Sequence, residues 1–305
     1  MKVVVAGGTG FLGRPLVAAL TARGDAVTVL SRGEAVALPP AARSLRWLTA
    51  DADEGAWRRA VAAADAVVNL AGTSLADRRW TPSHKERILQ SRLRATGALV
   101  AAMADGAAGP RTLVSASAVG YYGACGDEPI SDADPPAAGS DFLAGVCIAW
   151  EAAAREAESL GARVVLLRTG LVLGADGGAL ARLAMPFRLF VGGPLGDGRQ
   201  WLPWIHRDDA VALVRHTLER DDLSGPVHVT APTPVTNRAF ATALGRALRR
   251  PAFLPAPGLA LRLALGEMAD ALLLAGQRAL PDRAVESGFA YVYGGLDAAL
   301  ADLVA

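Results

Sequence analysis

Lys2–Gly13, KVVVAGGTGFLG, is the stretch that decides how this chain of 305 residues is read. Lys2 to Ala6 is a β-branched run with the length of a buried strand. Gly7, Gly10 and Gly13 follow at a spacing of three, and from Phe11 the residues Leu12, Leu16, Val17 and Leu20 share one helical face. Strand, glycine turn and helix in that order form a phosphate cradle. Gly7 permits a sharp turn, Gly10 lets a pyrophosphate approach the main chain, and Gly13 lets the helix pack closely on the strand. The helix N-terminus offers free N–H groups and partial positive charge to an anion. Thr9, Phe11 and Leu12 complete the loop that faces the nucleotide. The alternative is an ordinary tight turn, for which the flanking strand and helix are not required.

Working outward, a second strand runs from Ala26 to Leu30 and ends at Ser31 and Arg32. Nucleotide sites for NAD commonly carry an acid here, on the ribose hydroxyls. This chain has Arg32, which suits a 2′-phosphate, so the expected cofactor is NADP(H). Otherwise Arg32 is a solvated loop residue. Leu45 to Leu48 is a third short strand. Ala66 to Leu70 is a fourth, ending in Asn69, Leu70, Ala71 and Gly72, small groups against which a cofactor can lie. A helix from Ser83 to about Ala104 buries Ile88, Leu89, Leu93, Leu99 and Val100. Arg92, in mid-helix, either turns inward to the cofactor or is solvated.

Arg111 to Ser115 is a fifth strand, with Ser115 bordering the cofactor. Beyond it Ser117, Tyr121 and Tyr122 are candidates for proton transfer, or the tyrosines bury their rings and anchor the loop. A Pro/Asp-rich loop from Gly126 to Ser140 leads to a helix from Phe142 to Leu160 and a strand from Ala162 to Leu167. Residues 168–174, RTGLVLG, close the nucleotide-binding half, with Val172 at the cofactor.

Six strands alternating with helices predict an α/β fold, a Rossmann-type doubly wound parallel sheet. It spans residues 1–174 and is completed by about 206–230, where a strand at Val227–Thr230 rejoins the sheet. Residues 175–305 form a smaller C-terminal substrate lobe. In QWLPWIHRDD, residues 200–209, Asp208 and Asp209 suit the first turn of a helix that runs to about Arg220. His206 is then a candidate acid, and Trp204 and Arg207 candidate substrate contacts. Alternatively the tryptophans staple this loop to the core and His206 bonds to backbone. Leu259 to Leu274 is interrupted by Arg262, Glu267 and Asp270. It reads as a packed surface helix rather than a membrane span.

Apolar residues make up 52% of the chain, enough for an extensive core, and the net charge is +1. That balance gives no bulk reason to expect nucleic acid or a membrane as partner. A small-molecule substrate is the expected partner, and the oligomeric state is not legible. Cys125 and Cys147 have neither metal-ligand spacing nor a disulfide framework, so no metal is expected. With no signal peptide before the first strand, the expected compartment is cytoplasmic.

GGTGFLG, NLAG, SASAVGYYG, LRTGLVLG and GDGRQWLPWIHRDD occur in this order over roughly the first 230 residues. Together they resemble an extended short-chain dehydrogenase/reductase. SAVGYYG and PWIH, with LALGEMADALLLAGQRALP and GFAY near the C-terminus, resemble its NAD(P)-dependent epimerase-like subfamily with a C-terminal extension. The resemblance implies that Ser117 is the catalytic serine. It also implies a tyrosine and a lysine four residues apart on the following helix. Here those positions hold Leu143 and Cys147, which cannot exchange a proton as that pair does. The expected substitutes are Tyr121 or Tyr122, then His206. Leu202 stands where many sugar-nucleotide enzymes carry an arginine on the diphosphate, and Arg199 and Arg207 are the nearest cations. Two readings follow. One is an NADP(H)-dependent oxidoreductase or epimerase for a small polar substrate, nucleotide sugars included. The other is a non-catalytic NADP(H)-binding redox sensor or regulator. Loss of the dyad favours the second; Ser117 and the stretch Trp204–Asp209 favour the first.

Overall fold

Seven segments become parallel strands of one sheet in the computed structural model, which describes residues 1–33, 37–106, 111–136 and 141–304. The strands are β1 (Lys2–Ala6), β2 (Ala26–Ser31), β3 (Ala42–Arg46), β4 (Ala66–Asn69), β5 (Thr112–Ala118), β6 (Arg163–Thr169) and β7 (Gly225–Val229). Their order is β3-β2-β1-β4-β5-β6-β7. The main helices are α1 (Gly13–Ala22), α2 (Glu54–Ala62), α3 (Pro82–Met103), α4 (Phe142–Arg155), α5 (Leu180–Arg188), α6 (Arg207–Glu219), α7 (Asn237–Leu248), α8 (Gly258–Leu265) and α9 (Leu296–Val304). Among the described residues, no helix is long and apolar enough to cross a membrane.

Successive strand side chains point to opposite faces, and here both faces are covered, so the strands read as continuous apolar runs. Val3, Val5 and Val114 pack with Leu16 and Leu20 of α1 and Leu213 of α6. Val4, Leu113 and Leu166 pack on the other face with Trp57 of α2 and Leu99 of α3. A third cluster joins α5, α7 and α9 through Leu180, Phe187, Trp204, Phe240, Leu244 and Leu300. The strand order reverses between β1 and β4. Chain segments leaving these two ends diverge, and a crevice opens between them.

Some boundaries differ from the sequence reading. The third strand covers Ala42–Arg46 rather than Leu45–Leu48. It is a sheet edge with exposed side chains, so its apolar signal is weak; Trp47 turns in to meet Trp57 edge-on, ring centres 6.0 Å apart. The helix beginning at Phe142 ends at Arg155 and finishes in a tighter turn, Glu156–Leu160. Leu259–Leu274 is not one packed helix. Gly266 adopts φ +64°, which ends α8, and a wide turn over Asp270–Leu274 follows. Residues 137–140 of the Pro/Asp-rich loop lie outside the described residues.

Close approach, rather than flexibility, demands glycine at position 13. A Cβ there would lie 2.2 Å from the Gly7 carbonyl oxygen, whereas a Cβ on Gly97 in α3 would meet nothing within 4 Å. Gly13→Ala is therefore expected to lower stability by about 1–3 kcal/mol. Gly97→Ala should raise it by about 0.5–1 kcal/mol. Urea unfolding of the two variants checks the contrast, and a Gly13→Ala protein as stable as wild type would refute it.

Candidate active site

Where β1 and β4 end, the two backbones come close together. Gly7 has φ +80°, and a Cβ on it would sit 2.7 Å from the carbonyl carbon and oxygen of Leu70. The turn closes with the Gly10 amide donating to the Gly7 carbonyl at 3.0 Å. Leu12 precedes α1 without a side-chain cap; among the described residues no side chain accepts from the first-turn N–H groups, and the Arg14 amide donates to the Gly10 carbonyl at 3.0 Å. The Arg14 Nε donates to the Thr9 carbonyl at 2.9 Å. The Phe11 ring lies under a glycine loop, where a Cβ on Gly174 would come within 2.7 Å of it. At the end of β2, Ser31 is buried and its hydroxyl accepts from the Gly33 amide at 3.1 Å. Arg32 is exposed, with no hydrogen-bond or ionic partner among the described residues.

Beyond β4 the chain is fastened to α3. The Ala71 amide donates to Asn69 Oδ1 at 3.2 Å, and the Thr73 amide to the Ser91 hydroxyl at 3.0 Å. Arg92 turns inward. Its Nη1 donates to the carbonyls of Thr73 at 3.1 Å and Ile88 at 3.0 Å. Its guanidinium stacks on Trp150 at 4.8 Å and lies 3.3 Å from where a Cβ on Gly72 would be. It has no carboxylate partner among the described residues. Burial lowers its pKa, countered only by Cys147. Ser115 is fully buried against Asn69, whose Nδ2 reaches it at 3.4 Å, so its side chain lies beneath the crevice rather than in it. Val172 is half-buried in a short strand, Leu171–Leu173, paired with Trp204–His206.

At the carboxyl ends of β5 and β6 lies a buried polar network. The Ser117 hydroxyl donates to Glu151 Oε1 at 2.7 Å. Arg168 grips both oxygens of Glu151 at 2.9 Å and donates to the Tyr122 hydroxyl at 2.6 Å. Tyr122 in turn contacts His228 Nε2 at 2.6 Å, and His228 Nδ1 reaches the Leu280 carbonyl at 2.7 Å. The neutral ring donates from Nδ1 to that carbonyl and accepts at Nε2 from Tyr122. Asp132 accepts from the backbone amides of His228 and Arg283. Glu151, Arg168, Asp132 and His228 were not singled out from the sequence. Arg168 and His228 each stand as a lone polar residue in an apolar run, VVLLR and VHV, and Glu151 follows the apolar CIAW, whereas Asp132 in SDAD stands out from no such run.

Several sequence-based assignments change as a result. Tyr122 is not a free proton donor, because protein groups occupy its hydroxyl; burial pushes its pKa up. The Tyr121 hydroxyl makes no hydrogen bond among the described residues. Its ring covers the Arg168 guanidinium at 3.5 Å and borders a cavity of about 380 Å³ at the β7 edge, together with Asp132, Arg155 and Arg283. Leu143 and Cys147 are both buried, and burial pushes the Cys147 thiol up to about 11. His206 is not at the crevice. It caps α6, accepting from the Asp208 amide at 3.1 Å, contacts Asp302 at 3.3 Å and stacks on Tyr293 at 3.9 Å. Trp204 is 0% exposed and donates to the Thr233 carbonyl at 3.0 Å, so it packs the third cluster and cannot touch a substrate. Arg207 pairs with Asp176 and lies 5.4 Å from the Phe11 ring. It flanks the glycine loop, on the nucleotide side.

Burial lowers the His228 pKa below its ordinary 6.5 and outweighs the opposing pull of Asp132. The unfolded chain therefore takes up this proton before the folded one does. The stability is complete above about pH 6.5 and is lost as pH falls toward the depressed folded value. The Tm is expected to drop between about pH 7 and pH 5, and the drop should be shallower in His228→Gln. Parallel Tm curves for the two proteins would show that His228 does not titrate with folding.

The geometry has known counterparts. Residues 3–230 match the family model described as NAD dependent epimerase/dehydratase family, and residues 256–303 match a domain of unknown function, DUF1731. An epimerase family protein of Mycobacterium bovis is 42% identical over 299 residues, covering 98% of this chain and 96% of its own. The human epimerase family protein SDR39U1 is 37% identical over the full length of both chains. A crystal structure of human SDR39U1 with NADPH superposes with a TM-score of 0.86 at 34% identity, covering 100% of this chain and 99% of that one. With family model, relatives and fold in agreement over nearly the whole length, this chain belongs to the NAD dependent epimerase/dehydratase family.

Proposed function

We propose that the protein is an NADP(H)-dependent oxidoreductase or epimerase-like enzyme acting on a small polar substrate, nucleotide sugars included. The observation that carries this reading is the gap between Gly7 and Leu70, where backbone lies so close that no side chain fits, facing an uncapped helix N-terminus. Residues Gly7 to Gly13 hold the pyrophosphate, with Arg207 beside them. Arg32 meets the 2′-phosphate, and Leu70, Ala71 and Gly72 lie along the dinucleotide. Human SDR39U1, crystallised with NADPH, supports the choice of cofactor. NADP(H), when bound, supplies or takes a hydride. Residues 1–174, completed by 206–230, then form the nucleotide half, and residues 175–305 the substrate lobe.

Arg92 takes over the cation that the family places on α4. The lysine position is occupied by Cys147, and the Arg92 guanidinium comes in from α3 to the same neighbourhood. A buried cation without a counter-ion favours an electron-rich ligand, here the ribose and phosphate oxygens. Ser117 spends its only hydroxyl hydrogen on Glu151. What it can offer a substrate is a lone pair, which suits a hydroxyl donor. Tyr121 is the remaining acid candidate.

A specific observation favours the sensor reading: Tyr122 and both ring nitrogens of His206 are already partnered. Substrate-dependent oxidation or reduction of NADP(H), searched over nucleotide sugars, free sugars and ketones, separates the two. Activity that Ser117→Ala removes supports the enzyme. NADPH binding without turnover of any of them supports the sensor.

Two binding predictions follow from the same geometry. A charge-assisted contact at Arg32 contributes about 1.5–3 kcal/mol, so NADPH should bind roughly tenfold or more tighter than NADH, and Arg32→Ala should erase the preference. Equal affinities by titration calorimetry would refute this. Arg92→Met keeps the side-chain volume but removes the buried charge. NADPH affinity should fall about tenfold, while thermal stability holds or rises. A loss of stability with unchanged affinity would make Arg92 a packing residue only.

A further inference from the structure

Two segments of the C-terminal half differ from the rest of the chain in charge. Residues 177–196 and 238–266 contain no aspartate or glutamate but carry Arg182, Arg188, Arg238, Arg246, Arg249, Arg250 and Arg262. The net charge of +1 conceals this separation. The fold lays the two segments side by side. The Leu254 amide donates to the Gly192 carbonyl at 3.1 Å, the Ala256 amide to the Pro194 carbonyl at 2.9 Å, and Arg250 lies over the Phe190 ring at 4.6 Å.

Both segments also expose apolar side chains. Met185, Leu189, Phe190, Phe253, Leu259 and Leu263 are from 60% to 78% exposed. No residue of α8, GLALRLAL, is buried. Side chains this exposed stand out from the surface rather than line a groove, which excludes a small apolar ligand as the occupant. Patches of this kind mark interaction sites. Asp77, Asp270 and Asp297, from outside the two segments, pair with Arg182, Arg262 and Arg246. Arg188, Arg249 and Arg250 have no acidic partner among the described residues.

We propose that this face docks on an anionic lipid bilayer, with Phe253, Leu259 and Leu263 entering the interface and the free arginines meeting lipid phosphates. Charge selects this occupant. A second copy of the chain, docked face to face about a twofold axis, would bring Arg188, Arg249 and Arg250 against their own counterparts. Leucine and phenylalanine on one surface with arginine around them match the pattern of interfacial membrane segments. The inference is independent of the reading of the nucleotide crevice.

Flotation of the full-length protein with vesicles tests it. Vesicles of equal parts phosphatidylglycerol and phosphatidylcholine should carry the protein at about 0.1 M salt, and vesicles of pure phosphatidylcholine should not. Arg249→Gln with Arg250→Gln, or about 1 M salt, should lower partitioning about tenfold or more. Phe253→Ser, Leu259→Ser and Leu263→Ser together should abolish it, with an unchanged Tm because these side chains are exposed. No flotation with the anionic vesicles overturns the proposal. So does flotation that neither set of variants affects. Reversible dimerisation in sedimentation equilibrium, removed by the serine variants and without vesicle binding, also overturns it and identifies a second copy as the occupant.

Discussion

The Glu151–Arg168 ion pair is the contact on which the working end of the sheet depends. Both side chains are buried, 3% and 2% exposed, and they meet through two parallel hydrogen bonds. Burying such a pair gains little overall, but losing one partner strands a charge in the core at a cost of about 3–5 kcal/mol. The pair therefore fixes α4 against β5 and β6. Every neighbouring polar group is arranged to satisfy what remains of it. Ser117 donates to the carboxylate, while Tyr122 and the Asp132 carbonyl accept from the guanidinium. Through Tyr122 the network reaches His228 on β7, and through Asp132 and Leu280 it holds the C-terminal extension. The nucleotide crevice and the extension thus share one polar core.

This arrangement limits the chemistry. A hydroxyl that satisfies a buried ion pair cannot also exchange protons with a substrate, which removes Tyr122 from the candidates. Ser117 becomes an acceptor toward the crevice for the same reason. In the proposed site the positive charge near the ribose comes from Arg92 on α3 rather than from α4. A small thiol at Cys147 and a flat indole at Trp150 leave room for that long side chain. Position 207 shows a similar reassignment. Arg207 begins α6 beside the glycine loop, while its neighbour His206 faces the opposite way and caps the helix.

Local pattern sufficed for the parts of the fold with strong periodicity. The β-branched runs announce strands, and the glycine spacing in GGTGFLG announces a backbone approach that no side chain permits. Both are properties of adjacent residues, so they can be read without the rest of the chain. The edge strand β3 begins three residues before the apolar Leu45–Leu48 because its exposed positions carry no apolar period. The segment after Leu259 reads as one helix because Arg262, Gly266 and Asp270 fall four apart on one stripe, yet at Gly266 the backbone turns to positive φ.

The roles of individual polar groups belong to the tertiary structure. Periodicity states which face of an element is buried, not which partner will satisfy a polar group placed there. Ser117, Tyr122, Asp132, Glu151, Arg168 and His228 come from three strands, a short 3₁₀ helix, a loop and an α-helix, and only the order of the sheet brings them together. The sequence by itself determined the doubly wound sheet and its phosphate cradle. The folded chain decided which hydroxyls, imidazoles and arginines are free to act, because burial makes hydrogen-bond partners obligatory and those partners lie far away in sequence.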